Sequence, residues 1–185
     1  MTTLSELIAQ RVSSPRLQEP APSPQVLERV FKAAFRAPDH MMLRPWRYLI
    51  IEGERREDLG AVFAEATRQS EMEITQAQEE KCMKMPMRAP MIIVAVSQNI
   101  PHPKVPQLEQ EVATGVGVGY MLLALQSEGF NGIWRTGPMA EHVHVKQALG
   151  LQQHETLIGF LYVGTPLGEL KAVPESILED YVSKW

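Results

Sequence analysis

The chain has 185 residues, a net charge of −4 at neutral pH and a hydrophobic fraction of 44%. These values predict one globular domain over residues 1–185 with its own core, and they argue against a general nucleic-acid-binding protein. The single cysteine, Cys82, excludes an internal disulfide. We see neither a secretory leader nor an apolar run long enough to cross a membrane, so we expect a cytoplasmic protein.

The first third of the chain predicts two helices and a strand. Thr3 and Glu6 fit a capping box, which places the start of the first helix near Leu4. Ser23 followed by Pro24 predicts the start of a second helix, which must end before Pro38. Residues 48–51 are a short apolar run that predicts a strand, and residues 54–83 are charged and helix-prone.

The remainder alternates between strands and helices. Residues 91–96 predict a strand buried on both faces. Residues 109–128 predict a long helix, whose part between Val112 and Leu125 is apolar nearly all the way round. Further elements are expected at 132–134 (strand), 143–149 (helix ended by Gly150) and 157–163 (strand), and the segment 169–185 ends in apolar and aromatic residues. This order predicts an α+β fold with a central sheet.

The run Gly115-Val116-Gly117-Val118-Gly119 superficially resembles a dinucleotide-binding loop. Such a loop follows a strand directly, whereas these glycines lie inside the helical pattern. We therefore interpret them as small residues that allow a second helix to approach closely.

Two other polar pairs do not predict a site. His142 and His144 are two residues apart on a predicted helix, so they diverge, and no thiol or carboxylate cluster completes a metal site around them. Glu109 and Glu111 diverge for the same reason, which argues against an acid–base pair.

Three short stretches concentrate cations and hydroxyls in this acidic chain. They are residues 11–16 (RVSSPR), the loop that carries Arg36, His40 and Arg44, and residues 132–137 (GIWRTG). Arginine forks and hydroxyl groups suit phosphate recognition, so together these stretches predict an anion-binding site.

The sequence resembles the nitroreductase family of FMN-dependent oxidoreductases, specifically its short branch. The resemblance covers almost the whole chain, and its specific part is the PDH…PW segment near residues 38–46 together with GIWRTG. It implies an α+β sandwich with a mostly antiparallel central sheet flanked by helices, in an interlocked homodimer with FMN at the subunit interface.

The resemblance also implies the cofactor-binding residues. Arg11, Val12 and Ser13 match the N-terminal flavin-binding segment, with Arg16 as a further phosphate candidate. Arg36 and His40 match positions that reach the flavin of the partner chain. The segment that lines the isoalloxazine ring corresponds to Trp134, Arg135 and Thr136. No side chain is expected to act as a catalytic residue, and no metal is expected.

The implied activity is hydride transfer from NADH or NADPH, through FMN, to electron-poor acceptors such as nitroaromatics or quinones by a ping-pong mechanism. The chain departs from the wider family at Val12, Met42 and Arg44, where an arginine, an asparagine and a glutamine are usual. Two alternatives stay open: a flavoenzyme of the same fold with different chemistry, and an FMN-binding dimer that acts as a carrier or sensor.

Overall fold

A central sheet organises the molecule. A computed structural model describes residues 3–71 and 73–185. Within them the strands are β1 (Leu17–Gln18), β2 (Trp46–Glu52), β3 (Met91–Gln98), β4 (Asn131–Arg135) and β5 (Glu155–Pro166). The strands pair in the order β1-β5-β3-β2, β4 also pairs with β5, and all of these pairings are antiparallel. The expected mostly antiparallel sheet is therefore confirmed.

Helices cover both faces of this sheet. Their bounds are α1 (Leu4–Ala9), α2 (Pro24–Ala34), α3 (Arg55–Ser70), α4 (Gln76–Lys84), α5 (Gln107–Ser127), α6 (Pro138–Glu141) and α7 (Val143–Ala148). Short 3-10 turns lie at His40–Met42, Pro86–Arg88 and Leu178–Asp180. The α+β assignment is confirmed.

Strand β3 explains why the core has two halves. All of its residues from Met91 to Ser97 are buried, as expected for a strand covered on both faces. Because side chains alternate along a strand, Ile92 and Val94 join one apolar cluster with α3, while Met91 and Ile93 join a second with α2 and α5.

The capping signals are confirmed, and two features differ from the sequence-based expectation. The Thr3–Glu6 capping box and the Ser23 cap both form. The helix-prone stretch 54–83 is two helices rather than one run, because a second capping box at Thr75 begins α4; Met72 of that stretch lies outside the described residues. The two-residue strand β1 was not predicted, because it exists only through its pairing with β5.

The segment 167–185 extends away from this core. Every one of its residues is exposed, including several large apolar side chains. The most exposed of these are Ile177, Leu178, Tyr181 and Trp185. The segment therefore offers apolar surface that the core of its own chain does not cover.

Candidate flavin site

The loop after α1 is held against strand β4 by a backbone contact. The Ser14 amide donates to the Gly132 carbonyl at 3.2 Å. This places the RVSS stretch beside GIWRT, although more than a hundred residues separate them in sequence. Within the loop, Arg11 Nη1 lies 3.4 Å from Ser13 Oγ, and Arg11, Val12 and Ser13 are all half-buried. Two of the three predicted stretches therefore lie together in one chain.

Strand β4 directs two of the predicted residues to opposite faces of the sheet. Trp134 lies on the α5 side, where its ring is 3.4 Å from the position that a Cβ atom would occupy on Gly115. Its indole N–H donates to the Ile158 carbonyl at 3.2 Å, which fixes the ring. Arg135 lies on the other side, with its guanidinium carbon 5.8 Å from the centre of the Tyr162 ring.

A cavity of about 500 Å³ opens on the Arg135 side of the sheet. Its walls are mainly aromatic and thioether groups, and it also includes Thr136 of the predicted flavin segment. The other lining residues are Phe63, Met85, Arg88, Ile133, Trp134, Arg135, Pro138, Met139, Phe160 and Tyr162. The volume and the apolar walls with few polar groups are typical of a small-molecule site.

Charge in this cavity is unbalanced among the described residues. Arg135 Nε is buried without a hydrogen-bond partner there, and no carboxylate pairs with Arg88. Burial raises the pKa of Tyr162, and the positive charges of Arg135 and Arg88 partly offset that rise. The cavity is therefore suited to a ligand that carries negative charge or carbonyl oxygens.

Arg36 and His40 lie elsewhere in the chain. Arg36 lines a groove of about 1090 Å³ between the end of α2 and β2, where the Phe35 and Trp46 rings stack at 6.3 Å. His40 Nδ1 contacts Glu109 Oε2 of α5 at 2.7 Å. A single chain therefore does not bring these two residues into the cavity that contains Trp134, Arg135 and Thr136.

The loop that carries His40 has an unusual backbone. Met41, Met42 and Arg44 all have positive φ, at 63°, 54° and 51°. Asp39 helps to fix this shape, because its Oδ2 accepts a hydrogen bond from the Arg44 amide at 2.7 Å. A loop held in a sparsely populated conformation is typical of functional regions.

The polar pairs and glycines that sequence reasoning set aside have structural roles. Gly115, Gly117 and Gly119 lie within α5, and a Cβ atom on Gly117 would approach the carbonyl of Ala34 in α2 at 3.3 Å. His142 caps α7 through a bond from the His144 amide. Among residues 3–71 and 73–185, no group of three or more His, Cys, Asp or Glu side chains could hold a metal ion.

Comparison with known proteins gives the family. Residues 8–165 match the family described as "Nitroreductase family". This chain belongs to the nitroreductase family. It is 40% identical over 171 residues to "Putative NAD(P)H nitroreductase YdjA" of Escherichia coli K12, covering 90% of this chain and 89% of that protein. A Haemophilus influenzae protein described as "Putative NAD(P)H nitroreductase" is 33% identical over 163 residues, covering 86% of both chains.

Solved structures confirm the nitroreductase fold. A nitroreductase-like protein from Bacillus cereus superposes with a TM-score of 0.85 at 18% identity, covering 100% of this chain and 97% of that one. The FMN- and NADPH-dependent nitroreductase NfnB from Sphigopyxis sp. strain HMH gives 0.79 at 19% identity, with 99% of both chains covered. Iodotyrosine deiodinase bound to FMN and 3-iodo-L-tyrosine gives 0.74 at 21% identity, covering 99% of this chain and 98% of that one. The expected family and its oxidoreductase class are confirmed, but such fold likeness alone does not select a substrate.

Sequence reasoning missed two residues that line the cavity beside Arg135. Arg88 lies shortly before one predicted strand, and Tyr162 lies within another. Neither position by itself indicates a ligand site. They line one cavity with Arg135 because β4 pairs with β5 and because Arg88, at the end of the turn after α4, borders the same cavity. No local pattern marks such a long-range arrangement.

Among the described residues, no helix is long and apolar enough to cross a membrane.

Proposed function

We propose that this protein is an FMN-dependent oxidoreductase that transfers reducing equivalents from NADH or NADPH to electron-poor acceptors such as nitroaromatics and quinones. The single observation that carries the proposal is the Ser14–Gly132 hydrogen bond. Because of it, the arginine and hydroxyl groups suited to a phosphate lie beside the Trp-Arg-Thr segment suited to a flat ring. FMN carries both groups in one molecule.

The residues present fit FMN. Arg11 and Ser13 would hold the phosphate and ribityl end, since guanidinium and hydroxyl donors suit phosphate oxygens, and Val12 would contribute backbone contacts. Trp134, Arg135 and Thr136 would line the ring. Arg135 Nε has no hydrogen-bond partner in the part of the chain that the structure describes, and it is a donor that a carbonyl-rich ring can satisfy. When bound, FMN would supply the hydride chemistry, while the protein supplies binding, orientation and electrostatics.

A homodimer would complete the site. We propose that Arg36 and His40 contact the FMN held by the partner chain, because they line other grooves in their own chain. Three exposed features support association: the open edge of β2, the apolar residues Leu108 and Val112 of α5, and the segment 167–185. Open strand edges and large apolar patches are typical of interaction surfaces.

We further propose ping-pong kinetics, with the donor and the acceptor occupying one place in turn. The side chains of this chain would position both substrates and exclude water, and none would act as a nucleophile. Trp134 suits this role, because its ring is fixed by the bond to Ile158 and remains partly exposed at 37%.

The test is an absorbance spectrum of the purified protein, followed by anaerobic addition of NADH or NADPH. We expect yellow protein whose visible absorbance is lost with at least one donor and returns with a nitroaromatic or quinone. Yellow protein that keeps its absorbance would favour a carrier or sensor, and activity restricted to another acceptor class would favour a different flavoenzyme. Colourless protein that FMN does not reconstitute would contradict the proposal.

A pair of variants tests the phosphate assignment. Arg11→Ala should weaken FMN binding by about tenfold to one hundredfold, because a charge-assisted hydrogen bond contributes roughly 1.5–3 kcal/mol. The matched control is Arg55→Ala on α3, where the arginine is exposed and, within residues 3–71 and 73–185, is paired only with Asp58. Equal FMN affinity in the two variants would show that Arg11 does not bind the phosphate.

A further inference from the structure

His40 and Glu109 form a contact that joins two distant parts of the chain. His40 Nδ1 lies 2.7 Å from Glu109 Oε2, although 69 positions separate the two residues. An ionised carboxylate only accepts hydrogen bonds, so Nδ1 donates and carries a proton. Nε2 is then the nitrogen that remains for a ligand, and it accepts when the ring is neutral and donates when the ring is protonated. Glu109 therefore fixes both the tautomer of the neutral ring and the direction in which it points.

The backbone that carries His40 is fixed separately. Asp39 Oδ2 accepts a hydrogen bond from the Arg44 amide at 2.7 Å, which closes the loop on the other side of His40. The loop is thus held through its backbone by Asp39, and the ring is held by Glu109 from α5. A group that is restrained at two points loses little conformational freedom when a ligand binds.

The contact contributes little to the stability of a single chain, but its surroundings suit a covered state. Both side chains are 49% exposed, and exposed pairs of this kind stabilise a fold only weakly. They border a groove of about 590 Å³ whose apolar lining includes the exposed residues Leu108 and Val112. A molecule that covers this groove removes water from the pair and strengthens it. The arrangement is therefore better suited to a ligand-bound state than to holding the free chain together.

The charges in the groove indicate which part of a ligand it accepts. The charged or titratable groups that line it are Asp39, His40 and Glu109. Two carboxylates face at most one cation there, so a phosphate group is disfavoured. The apolar remainder of the lining suits an uncharged portion of a ligand. This leaves the phosphate to Arg11 and Ser13, as proposed above.

We propose that Glu109 is a positioning residue that directs Nε2 of His40 to the uncharged part of FMN, its ring or ribityl chain, in the site of the partner chain. This inference rests on the proposed function. It gives Glu109 a role that its sequence pattern did not indicate, because its partner lies in a distant loop. Without Glu109 the ring can rotate and change tautomer, so the contact with the cofactor is weakened.

The first experiment titrates wild-type protein and Glu109→Gln with FMN and with riboflavin. Glutamine keeps the size of the side chain, but its amide both donates and accepts, so it does not fix the tautomer. The Kd of both flavins should rise about threefold to tenfold, the range expected for one hydrogen bond. Riboflavin lacks the phosphate, so equal losses place the contact at the uncharged part of FMN. A loss confined to FMN would place it at the phosphate and overturn the inference.

Two further variants separate a positioning role from a structural one. Glu111→Gln is the matched control, because Glu111 lies on the same helix but accepts a hydrogen bond from the Thr156 hydroxyl at 2.7 Å. It should change flavin affinity less than about twofold. Glu109→Gln should have no further effect in a His40→Gln background if Glu109 acts through His40. A loss that persists in that background would show that Glu109 acts in another way, such as on association of the chains.

The tautomer itself gives a readout that does not depend on activity. The ¹⁵N chemical shifts of the histidine rings distinguish Nδ1–H from Nε2–H at the alkaline end of a pH titration, and His40→Gln identifies the His40 signals. We expect Nδ1–H in wild-type protein and a population of Nε2–H in Glu109→Gln. Nε2–H in the wild type, or unchanged flavin affinity in Glu109→Gln, would overturn this inference and leave the proposed function standing. Wild-type protein that binds neither flavin would overturn both.

Discussion

Arg47 of β2 and Glu155 at the start of β5 form a two-point ion pair. Arg47 Nε lies 2.6 Å from Glu155 Oε1, and Arg47 Nη2 lies 2.6 Å from Glu155 Oε2. The Glu155 side chain is only 2% exposed, and its Oε2 also accepts the Gln152 amide at 2.9 Å. The pair joins the edge strand to the centre of the sheet across β3, close to the groove that contains Arg36.

This pair should make stability depend on pH. The hydrogen bonds from Arg47 lower the pKa of Glu155 from 4.5 to about 2. A lowered carboxylate pKa means that the stabilisation is fully present above pH 4.5 and is lost as the pH falls towards 2. Glu155→Gln should lower the free energy of unfolding by about 2 kcal/mol at pH 7, since it leaves Arg47 without its counter-charge.

Urea unfolding at several pH values between neutral and acidic conditions measures this effect. The difference between wild type and Glu155→Gln should shrink as the pH falls. Glu57→Gln is the matched control, because Glu57 is an exposed carboxylate without an ion-pair partner among the described residues. If the wild-type and Glu155→Gln curves stay parallel over the whole range, the ion pair is not the source of the pH dependence.

The contact between Tyr48 and Gly117 gives a second prediction. Tyr48 Oη is buried without a partner among the described residues, and burial raises the pKa of the phenol. A Cβ atom on Gly117 would lie 2.9 Å from this oxygen. Tyr48→Phe should therefore raise the free energy of unfolding by about 1 kcal/mol, because it removes an unsatisfied buried hydroxyl.

Gly117→Ala should lower the free energy of unfolding by about 2 kcal/mol, because the added methyl group overpacks the contact between α2, β2 and α5. The same substitution in the Tyr48→Phe background should cost clearly less, since one of the two close atoms is gone. Thermal or urea unfolding of the four proteins forms a double-mutant cycle. Additive effects would mean that the hydroxyl does not limit the space at Gly117.

The strained loop after α2 gives a third prediction. Met42 has φ of 54° and is 77% exposed, so Met42→Gly removes backbone strain and loses little packing. We expect the free energy of unfolding to rise by roughly 0.5–1 kcal/mol. This net value includes an opposing contribution, because glycine has more conformational freedom than methionine in the unfolded chain. Met87→Gly is the control: Met87 is also exposed but has no positive φ, so this variant should be less stable than wild type. A loss of stability in Met42→Gly similar to that in the control would contradict the strain argument.

Local chemistry determined most of what could be predicted from the sequence. The capping box at Thr3, the apolar run of β3 and the apolar middle of α5 each contain their signal within a few residues. The resemblance of PDH…PW and GIWRTG was enough to predict the family, which the comparisons confirm. The individual flavin-binding residues remain predictions.

Contacts between distant residues could not be predicted in this way. The bond from Ser14 to Gly132 joins residues more than a hundred positions apart, and Tyr162 shares a cavity with Arg135 because β4 pairs with β5. The break between α3 and α4 was missed for a different reason. Its capping box at Thr75 and Gln78 lies inside a long polar stretch, where helix propensity dominates the pattern.

The exposed apolar side of α5 allows a test of the proposed homodimer. Val112 is 55% exposed and lines a groove together with His40 and Leu108, and Leu108 is 68% exposed. If a second chain covers this side, Val112→Glu buries an uncompensated charge at the interface. The dimer dissociation constant should then rise at least about one hundredfold, which corresponds to roughly 2.7 kcal/mol. Analytical ultracentrifugation over a range of concentrations measures it.

Val143→Glu is the matched control for this variant. Val143 is 62% exposed on α7, which packs against α3 on the opposite side of the sheet, so its substitution should leave association unchanged. Because the proposed site needs Arg36 and His40 from the partner, Val112→Glu should also weaken FMN binding, whereas Val143→Glu should not. A wild-type protein that is monomeric at micromolar concentration and still binds FMN would show that one chain is sufficient, and the partner roles of Arg36 and His40 would then be wrong.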